Sequence, residues 1–207
     1  MKENKYDDNI FFQKYSQMSR SQQGLAGAGE WETLRKLLPD FKDKRVLDLG
    51  CGYGWHCIYA MEHGASSVVG VDISHKMLEV AKEKTHFPQV EYKCCAIEDV
   101  EFPEESFDVI LSSLAFHYVA DYEILVKKIY RILKSGGKLV FTVEHPVFTA
   151  YGTQDWHYNE KGEILHFPVD NYYYEGKRTA VFLGEKVTKY HRTPKIRKQS
   201  QWQSQLQ

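Results

Sequence analysis

Apolar positions along the chain follow two spacings that alternate with each other. Short apolar runs of strand length are separated by longer stretches in which apolar residues recur at helical spacing. This alternation predicts strands at 45–49, 67–72, 90–94, 107–112 and 138–143, with helices near 54–63, 75–85 and 121–134. Strands that alternate with helices at this spacing form βαβ units, so we predict an α/β fold with a doubly wound, mostly parallel sheet over residues 45–143.

Residues at the helix boundaries support this assignment. Ser74 and Asp121 precede two of the helical stretches and are suited to accept from the free amides of a helix start. Lys134 and Gly136 are expected to end the last helix, with a cation near its negative end and a glycine free to turn left-handed. In residues 1–44, the spacing of apolar side chains predicts two short helices that form an N-terminal helical cap.

Residues 144–193 differ in composition from the predicted core. Ten of the 48 residues at 144–191 are Phe, Trp or Tyr, and the apolar stretches at 179–183 and 186–190 flank a turn at Gly184, which predicts a β-hairpin. An aromatic-rich outer layer is one interpretation of this β insertion, and a lid over a functional site is the other, because long insertions in compact domains usually serve function. Residues 194–207 form a glutamine-rich tail with few apolar groups, and we expect it to be poorly ordered.

Charge and cysteine content exclude several classes of protein. The 27 Lys and Arg residues against 28 Asp and Glu residues give a net charge of −1, which argues against a nucleic-acid-binding surface. No apolar stretch approaches the length of a membrane span, and the first residues are unlike a secretory signal. The four cysteines form no C-x-x-C pair, so we expect free thiols in a reducing cytoplasm and no metal site.

The glycine spacing in the turn after the first strand indicates which class of cofactor the chain binds. A dinucleotide site requires G-x-G-x-x-G, but the third glycine position is Trp55 here. The chain instead reads Asp-x-Gly-x-Gly-x-Gly from Asp48 to Gly54, and Asp72 ends the second strand 22 residues beyond Gly50. At that offset an acidic side chain reaches ribose hydroxyls. The pattern therefore favours an adenosine-containing cofactor other than a nicotinamide dinucleotide.

This order of elements resembles the class I S-adenosylmethionine (SAM)-dependent methyltransferases, in particular the small-molecule, type 11 group. The resemblance covers roughly residues 44–145 and includes the Asp48–Gly54 turn, Asp72, the segment 96–99, the strand at 107–112 and the helix end Leu133-Lys134-Ser135-Gly136-Gly137, in which serine replaces the usual proline. In that family one more helix and an antiparallel strand pair follow the fifth strand, and nothing after residue 191 is suited to supply them. Either the hairpin covers that edge or the sheet ends early, and we also expect self-association as a homodimer through the edge.

The resemblance implies SAM as the cofactor and assigns residues to it. Asp48 would orient the glycine turn, Asp72 would take the ribose, Ile97 and Glu98 or Asp99 would contact the adenine, and Arg20 would pair with the methionine carboxylate. The full set of expected cofactor residues is Tyr15, Arg20, Asp48, Gly50, Cys51, Gly52, Gly54, Asp72, Ile73, Ile97, Glu98 and Leu114.

The expected chemistry is direct displacement of a methyl group onto a small-molecule acceptor. His117, Glu144 and His145 follow the fourth and fifth strands and are candidates for a general base, which is needed only when the acceptor arrives protonated. Two other functions stay open at this point: a SAM-binding protein without catalysis or with a truncated C-terminus, and a nicotinamide dehydrogenase, against which Trp55 argues.

Overall fold

The structure is a computed structural model that describes residues 4–150 and 155–194. Its central feature is a sheet of five strands in the order β3-β2-β1-β4-β5. All neighbouring strands are parallel. These strands are β1 (Arg45–Leu49), β2 (Ser67–Asp72), β3 (Val90–Cys94), β4 (Phe107–Ser113) and β5 (Leu133–Thr142).

Seven α-helices are present among the described residues. They are α1 (Asn9–Ser16), α2 (Ser19–Gln22), α3 (Trp31–Leu37), α4 (Trp55–Glu62), α5 (His75–Lys84), α6 (Tyr122–Ile132) and α7 (Pro146–Ala150). Short 3-10 turns lie at Lys5–Asp7, Gly24–Gly27, Ile97–Asp99 and Phe116–Tyr118. Three short helices therefore precede β1, where the sequence predicted two.

The sheet is covered on both faces because side chains alternate along its strands. On β1, Leu47 packs with α6 in one apolar core, whereas Val46 packs with residues of α4 and α5 in the other. The strand order reverses at β1, since β2 lies on one side of it and β4 on the other. Ligands of open α/β sheets bind at the carboxyl ends of the strands beside such a reversal. The predicted α/β fold with a doubly wound, mostly parallel sheet is confirmed, and its architecture is Rossmann-like.

The predicted helix caps are confirmed at Ser74 and Asp121, but the predicted end of the last core helix is wrong. Ser74 Oγ accepts from the Met77 N–H at 3.1 Å, and an Asp121 carboxylate oxygen accepts from the Ile124 N–H at 3.0 Å. Helix α6 ends at Ile132, two residues before Lys134. Gly136, with a φ of 75°, lies within an irregularity of β5 where the register against β4 shifts.

The predicted hairpin is present as β8 (Gly176–Phe182) and β9 (Glu185–His191), joined by a two-residue turn at Leu183 and Gly184. Both turn residues have positive φ (55° and 81°), the geometry that matches the twist of a tight hairpin. The hairpin forms a sheet of its own, and no strand in the described residues pairs with the outer edge of β5.

Three of the aromatic residues before the hairpin pack on one another. Phe167 contacts Phe148 and Trp156, with ring centroids 4.8 and 5.2 Å apart, beside a small pair of strands, β6 (His157–Tyr158) and β7 (Ile164–His166). The predicted tail beyond Pro194 lies outside the described residues. Within those residues, no helix has the length and apolar character needed to cross a membrane.

Candidate active site

A cavity of about 640 Å³ opens at the carboxyl ends of the central strands. Small-molecule sites usually have volumes of about 300–1,000 Å³. The turns that follow β1, β2, β3 and β4 form the bottom of the cavity, and we call this part the floor. Residues 5–28 and the β8–β9 hairpin cover the cavity, and we call these two segments the roof. Of the fifteen residues predicted for the site, twelve line the cavity: Tyr15, Arg20, Gly50, Cys51, Gly52, Asp72, Ile73, Ile97, Glu98, Leu114, His117 and Glu144.

The glycine turn is held to β2 by its backbone. The N–H groups of Gly50 and Cys51 both donate to the carbonyl of Val71, at 2.8 and 2.9 Å. The turn then takes a left-handed conformation at Gly50, Gly52 and Gly54, with φ values of 79°, 53° and 75°. A side chain at any of these positions would be strained.

The three glycines serve different purposes, which corrects the expectation that all three are cofactor residues. A Cβ at Gly52 would meet no atom within 4 Å, so this glycine faces the open cavity. A Cβ at Gly50 would lie 2.5 Å from that of Ala115, and one at Gly54 would overlap the hydroxyl of Tyr92. Gly54 is therefore needed for packing inside the fold, and it does not line the cavity.

Asp48 also lies behind the cavity. It is 1% exposed, and its Oδ2 accepts from the thiol of Cys57 at 3.6 Å, while its Oδ1 has no hydrogen-bond partner among the described residues. Burial raises the pKa of Asp48 to about 7. The expectation that Asp48 orients the amides of the glycine turn is wrong, because those of Gly50 and Cys51 donate to Val71 and that of Gly52 donates to Asp72.

Asp72 joins the turns that follow β1 and β2. Its Oδ2 accepts from the Gly52 N–H at 2.9 Å and its Oδ1 accepts from the Ser74 N–H at 2.9 Å. Burial nevertheless raises the pKa of this carboxyl. Each carboxylate oxygen has a second lone pair, so Asp72 can accept further hydrogen bonds from a ligand in the cavity.

The 3-10 turn Ile97–Asp99 forms the floor beyond β3. Ile97 and Glu98 line the cavity, whereas Asp99 does not. The Glu98 carbonyl accepts from Lys128 Nζ of α6 at 2.8 Å, which fixes this turn against the core. The structure thus favours Glu98 over Asp99 as the carboxylate near a bound adenine.

Arg20 lies in the roof and is tied to the ends of β4 and β5 through Glu30. The Arg20 Nη2 donates to Glu30 Oε1 at 2.6 Å, and the same oxygen accepts from Ser113 Oγ at 2.9 Å. Ser113 lies 3.1 Å from the hydroxyl of Thr142 on β5. This chain of contacts holds the guanidinium at the cavity wall, where its remaining N–H groups can face a ligand.

Tyrosine rings link the roof to the floor. Tyr15 lies edge-on to Tyr53 of the glycine turn and to Tyr6, with ring centroids 5.8 and 5.3 Å apart. The Tyr6 hydroxyl lies 3.3 Å from that of Tyr118, in the turn after β4. Burial raises the pKa of Tyr6 well above its ordinary value, so the hydroxyl stays protonated.

The three candidate bases occupy different environments. His117 is 3% exposed and lines the cavity from the turn after β4. Glu144 lines it after β5 and forms an ion pair with Lys189 Nζ of β9 at 2.5 Å. His145 is exposed and lies outside the cavity, where its Nδ1 accepts from the Val147 N–H at the start of α7. The structure therefore does not bring His145 into the site.

Several lining residues were missed by the sequence reasoning. They are His56 and Trp55 at the start of α4, Lys5 and Tyr6 near the N-terminus, and Lys177, Phe182, Val187, Thr188 and Tyr190 of the hairpin. Trp55 and His56 directly follow the glycine turn, and this position is a signal that would have identified them. Burial lowers the pKa of His56 to about 4, with the nearby Arg20 adding to the effect. His56 is therefore neutral at pH 7. The other residues come from distant segments, and local sequence carries no signal for them.

Neither disulfides nor metal clusters contribute to the site. All four cysteines are free thiols, and no group of three or more His, Cys, Asp or Glu residues in the described ranges is arranged to hold a metal ion.

The parallel sheet and the cavity at its strand ends are those of α/β proteins that bind a ligand where the strand order reverses. Comparison with known proteins identifies the family. Residues 47–141 match the methyltransferase domain model. A protein of Listeria monocytogenes, provisionally assigned as a SAM-dependent methyltransferase, is 55% identical with a TM-score of 0.81 over 85% of this chain and 83% of its own. A SAM-dependent methyltransferase of Mesorhizobium loti is 39% identical with a TM-score of 0.80 over 87% of this chain and 82% of its own.

The chain belongs to the class I SAM-dependent methyltransferases, as the resemblance of the sequence indicated, and it is an enzyme that uses SAM. A ubiquinone biosynthesis O-methyltransferase of Coxiella burnetii is 36% identical over 53% of this chain. The matched part spans 47% of that relative's length.

The residues present fit SAM. Gly52 leaves open space on the floor for the methionine or ribose portion of the cofactor. Asp72 beside it offers lone pairs that can accept further hydrogen bonds. Glu98 and Arg20 line the same cavity, so a carboxylate is available to an exocyclic amine and a cation to a carboxylate. The cavity therefore holds polar groups that suit the ribose, the adenine and the carboxylate of the cofactor.

Proposed function

We propose that this enzyme transfers the methyl group of SAM to a small molecule that enters the cavity beneath the β8–β9 hairpin. The observation that carries the proposal is the continuity of one cavity. It extends from Gly52 and Asp72 on the floor to His117 and Glu144, which lie past the ends of β4 and β5. We call the first part the cofactor end and the second the acceptor end.

The residues of the cofactor end have distinct roles in this proposal. Asp72 accepts from the ribose hydroxyls while keeping its hydrogen bonds to the floor, and Ile97 and Glu98 contact the adenine. Arg20, positioned by Glu30, pairs with the methionine carboxylate. When bound, SAM supplies an electrophilic methyl group on its sulfonium.

At the acceptor end the protein orients the nucleophile and excludes water. Well-oriented reactants gain up to about 7–11 kcal/mol of the barrier from proximity alone. His117 is the base in this proposal for an acceptor that arrives protonated, because it is buried at the cavity wall. Glu144 is less suited to take a proton, since the ammonium of Lys189 stabilises its negative charge. Glu144 serves instead as a hydrogen-bond acceptor that positions the nucleophile.

The hairpin acts as a lid in this proposal. Three contacts hold it over the cavity: the Lys189–Glu144 ion pair, Lys14 Nζ donating to the Leu183 carbonyl at 2.9 Å, and Phe182 lying edge-on to Phe11 with ring centroids 5.7 Å apart. A roof of this kind limits the size of the acceptor, which favours a small molecule over a macromolecule. The relative named for ubiquinone biosynthesis supports the same class of acceptor.

A SAM-binding protein without catalysis is the second candidate. Transfer of labelled methyl from SAM into a cell extract distinguishes the two, with the extract separated by size after incubation and heat-denatured protein as the control. We expect label in the small-molecule fraction. Binding of SAM with no labelled product in any fraction would favour the non-catalytic protein, and label only in macromolecules would contradict a small acceptor.

A further inference from the structure

The first described residues of the chain are bound to the helix that follows Asp72. We call residues 4–8 the strap. Asp7 of the strap caps α5, because its Oδ1 accepts from Ser74 Oγ at 2.6 Å and from the Lys76 N–H at 3.1 Å. Partial burial opposes ionisation of this carboxyl, but the hydrogen bonds from α5 lower the pKa of Asp7, so it is charged at neutral pH.

Two further contacts bind this part of the chain to the same helix. Asn4 Nδ2 donates to the Ile73 carbonyl at 3.2 Å and to Asp7 Oδ2 at 2.7 Å. Directly after the strap, Asn9 begins α1, and its Oδ1 accepts from Lys76 Nζ. The strap and the start of α1 are therefore both docked on the start of α5.

The turn to which the strap is bound also holds the proposed ribose acceptor. The N–H of Ser74 donates to Asp72 Oδ1 at 2.9 Å, while the hydroxyl of the same residue donates to Asp7. Ser74 is fully buried, so it links the two carboxylates within the fold. Asp7 thus helps to fix the turn from which Asp72 faces the cavity.

On its other side the strap reaches across the cavity. Tyr6 lines the cavity, and its hydroxyl lies 3.3 Å from that of Tyr118, in the turn after β4. Because β1 lies between β2 and β4 in the sheet, a segment bound to the turns after β2 and β4 passes over the glycine turn that follows β1. The strap therefore covers the cofactor end from the side opposite Asp72.

We propose that Asp7 is a positioning residue for the cofactor, which latches the strap over the cofactor end so that the strap must open each time SAM enters or S-adenosylhomocysteine leaves. This rests on the proposed function, because it takes Asp72 as the ribose acceptor. The latch consists of a few hydrogen bonds to residues 73–76, so it can open while the sheet stays folded. Opening also releases Ser74, which couples movement of the strap to the turn that holds the ribose.

The rates of ligand exchange test the latch. Surface plasmon resonance on the immobilised protein measures association and dissociation of S-adenosylhomocysteine. Asp7→Ala removes a charged acceptor from the start of α5, and we expect both rates to rise by at least about tenfold. Both rise because a closed strap slows entry as well as exit, and the affinity should change by less than either rate. Loss of an ordinary binding contact would raise the dissociation rate alone.

Two matched variants separate the latch from the helix cap. Asp121→Ala removes a cap of the same kind from α6, outside the cavity lining. It should lower the stability by a similar amount but keep both rates within about twofold of the wild type. Asn4→Ala leaves the cap of α5 in place and removes the donor to Ile73. It should raise both rates by about threefold.

The outcomes distinguish failure of the latch from failure of the proposed function. If the wild type does not bind S-adenosylhomocysteine, or if Asp72→Ala binds it as tightly as the wild type, the proposed function fails and the latch with it. If the wild type binds and Asp72→Ala binds more weakly, the exchange rates decide on the latch alone. Unchanged rates in Asp7→Ala and Asn4→Ala, a rise in dissociation without a rise in association, or an equal rise in Asp121→Ala would each overturn it.

Discussion

The floor and the roof of the cavity are built by different means. The floor is held by backbone hydrogen bonds within one stretch of sequence, such as those from Gly50 and Cys51 to Val71. The roof is held by single side chains from distant segments, such as the Lys189–Glu144 ion pair and the Tyr6–Tyr118 contact. The difference teaches that the floor is specified locally, whereas the roof depends on a few long-range contacts.

The largest expected effect distinguishes the two candidate histidines. His117→Gln should lower the rate of labelled methyl transfer by about 100-fold or more, the usual contribution of a general base. His145→Gln should stay within about twofold of the wild type, because His145 lies outside the cavity. SAM affinity serves as the control for folding. Equal rates for the two variants would remove His117 from the mechanism.

The roof should open when its ion pair is broken. Lys189→Met removes the ammonium beside the Glu144 carboxylate and should reduce the free energy of unfolding by about 3 kcal/mol. Hydrogen exchange should speed up in 176–191 while staying unchanged in β1 and β4. The double variant Lys189→Met/Glu144→Leu should recover most of the lost stability. Faster exchange throughout the sheet in Lys189→Met would show that the pair supports the whole fold and not the roof.

The floor is tested by Asp72. Asp72→Ala removes the proposed ribose acceptor together with the hydrogen bonds from Gly52 and Ser74. SAM affinity should fall by about 30-fold or more, which corresponds to ~2 kcal/mol. Calorimetry measures the change, with hydrogen exchange of the hairpin as the control. Unchanged affinity for SAM would contradict the assignment.

The pH dependence of stability reports on Asp48 beneath the floor. Burial raises its pKa to about 7, above the ordinary 3.8. The folded chain keeps this proton between those values while the unfolded chain releases it, so the free energy of unfolding falls as pH rises through that window and levels off above it. Relative to Asp48→Asn, the free energy of unfolding of the wild type should fall by on the order of 4 kcal/mol across this window. Denaturant titrations from pH 4 to 9 check this, and parallel curves for the two proteins would contradict it.

The smallest expected effect concerns Arg20. Arg20→Gln should lower the affinity for SAM by about tenfold, because one charge-assisted contact to the methionine carboxylate is lost. Methylthioadenosine lacks that carboxylate and should bind the variant and the wild type equally. Glu30→Gln should lower the affinity for SAM by less than Arg20→Gln does and leave that for methylthioadenosine unchanged, because Glu30 only positions the guanidinium. An equal loss for both ligands would assign Arg20 a structural role.

Sequence predicted the floor better than the roof for a physical reason. The order β1 to β5 and the position of Asp72 follow from local periodicity and spacing, and both are found in the structure. The role of Gly54 was misjudged, because its contact with Tyr92 joins residues far apart in the chain. Lys5, Lys177 and Tyr190 of the roof were missed for the same reason.

A crystal structure with S-adenosylhomocysteine bound tests the central claim most directly. We predict the ribose hydroxyls within hydrogen-bond distance of Asp72, the adenine beside Ile97 and Glu98, and the sulfur facing His117 beneath the hairpin. Product bound elsewhere on the protein, or bound here with its sulfur directed away from the hairpin, would contradict the account.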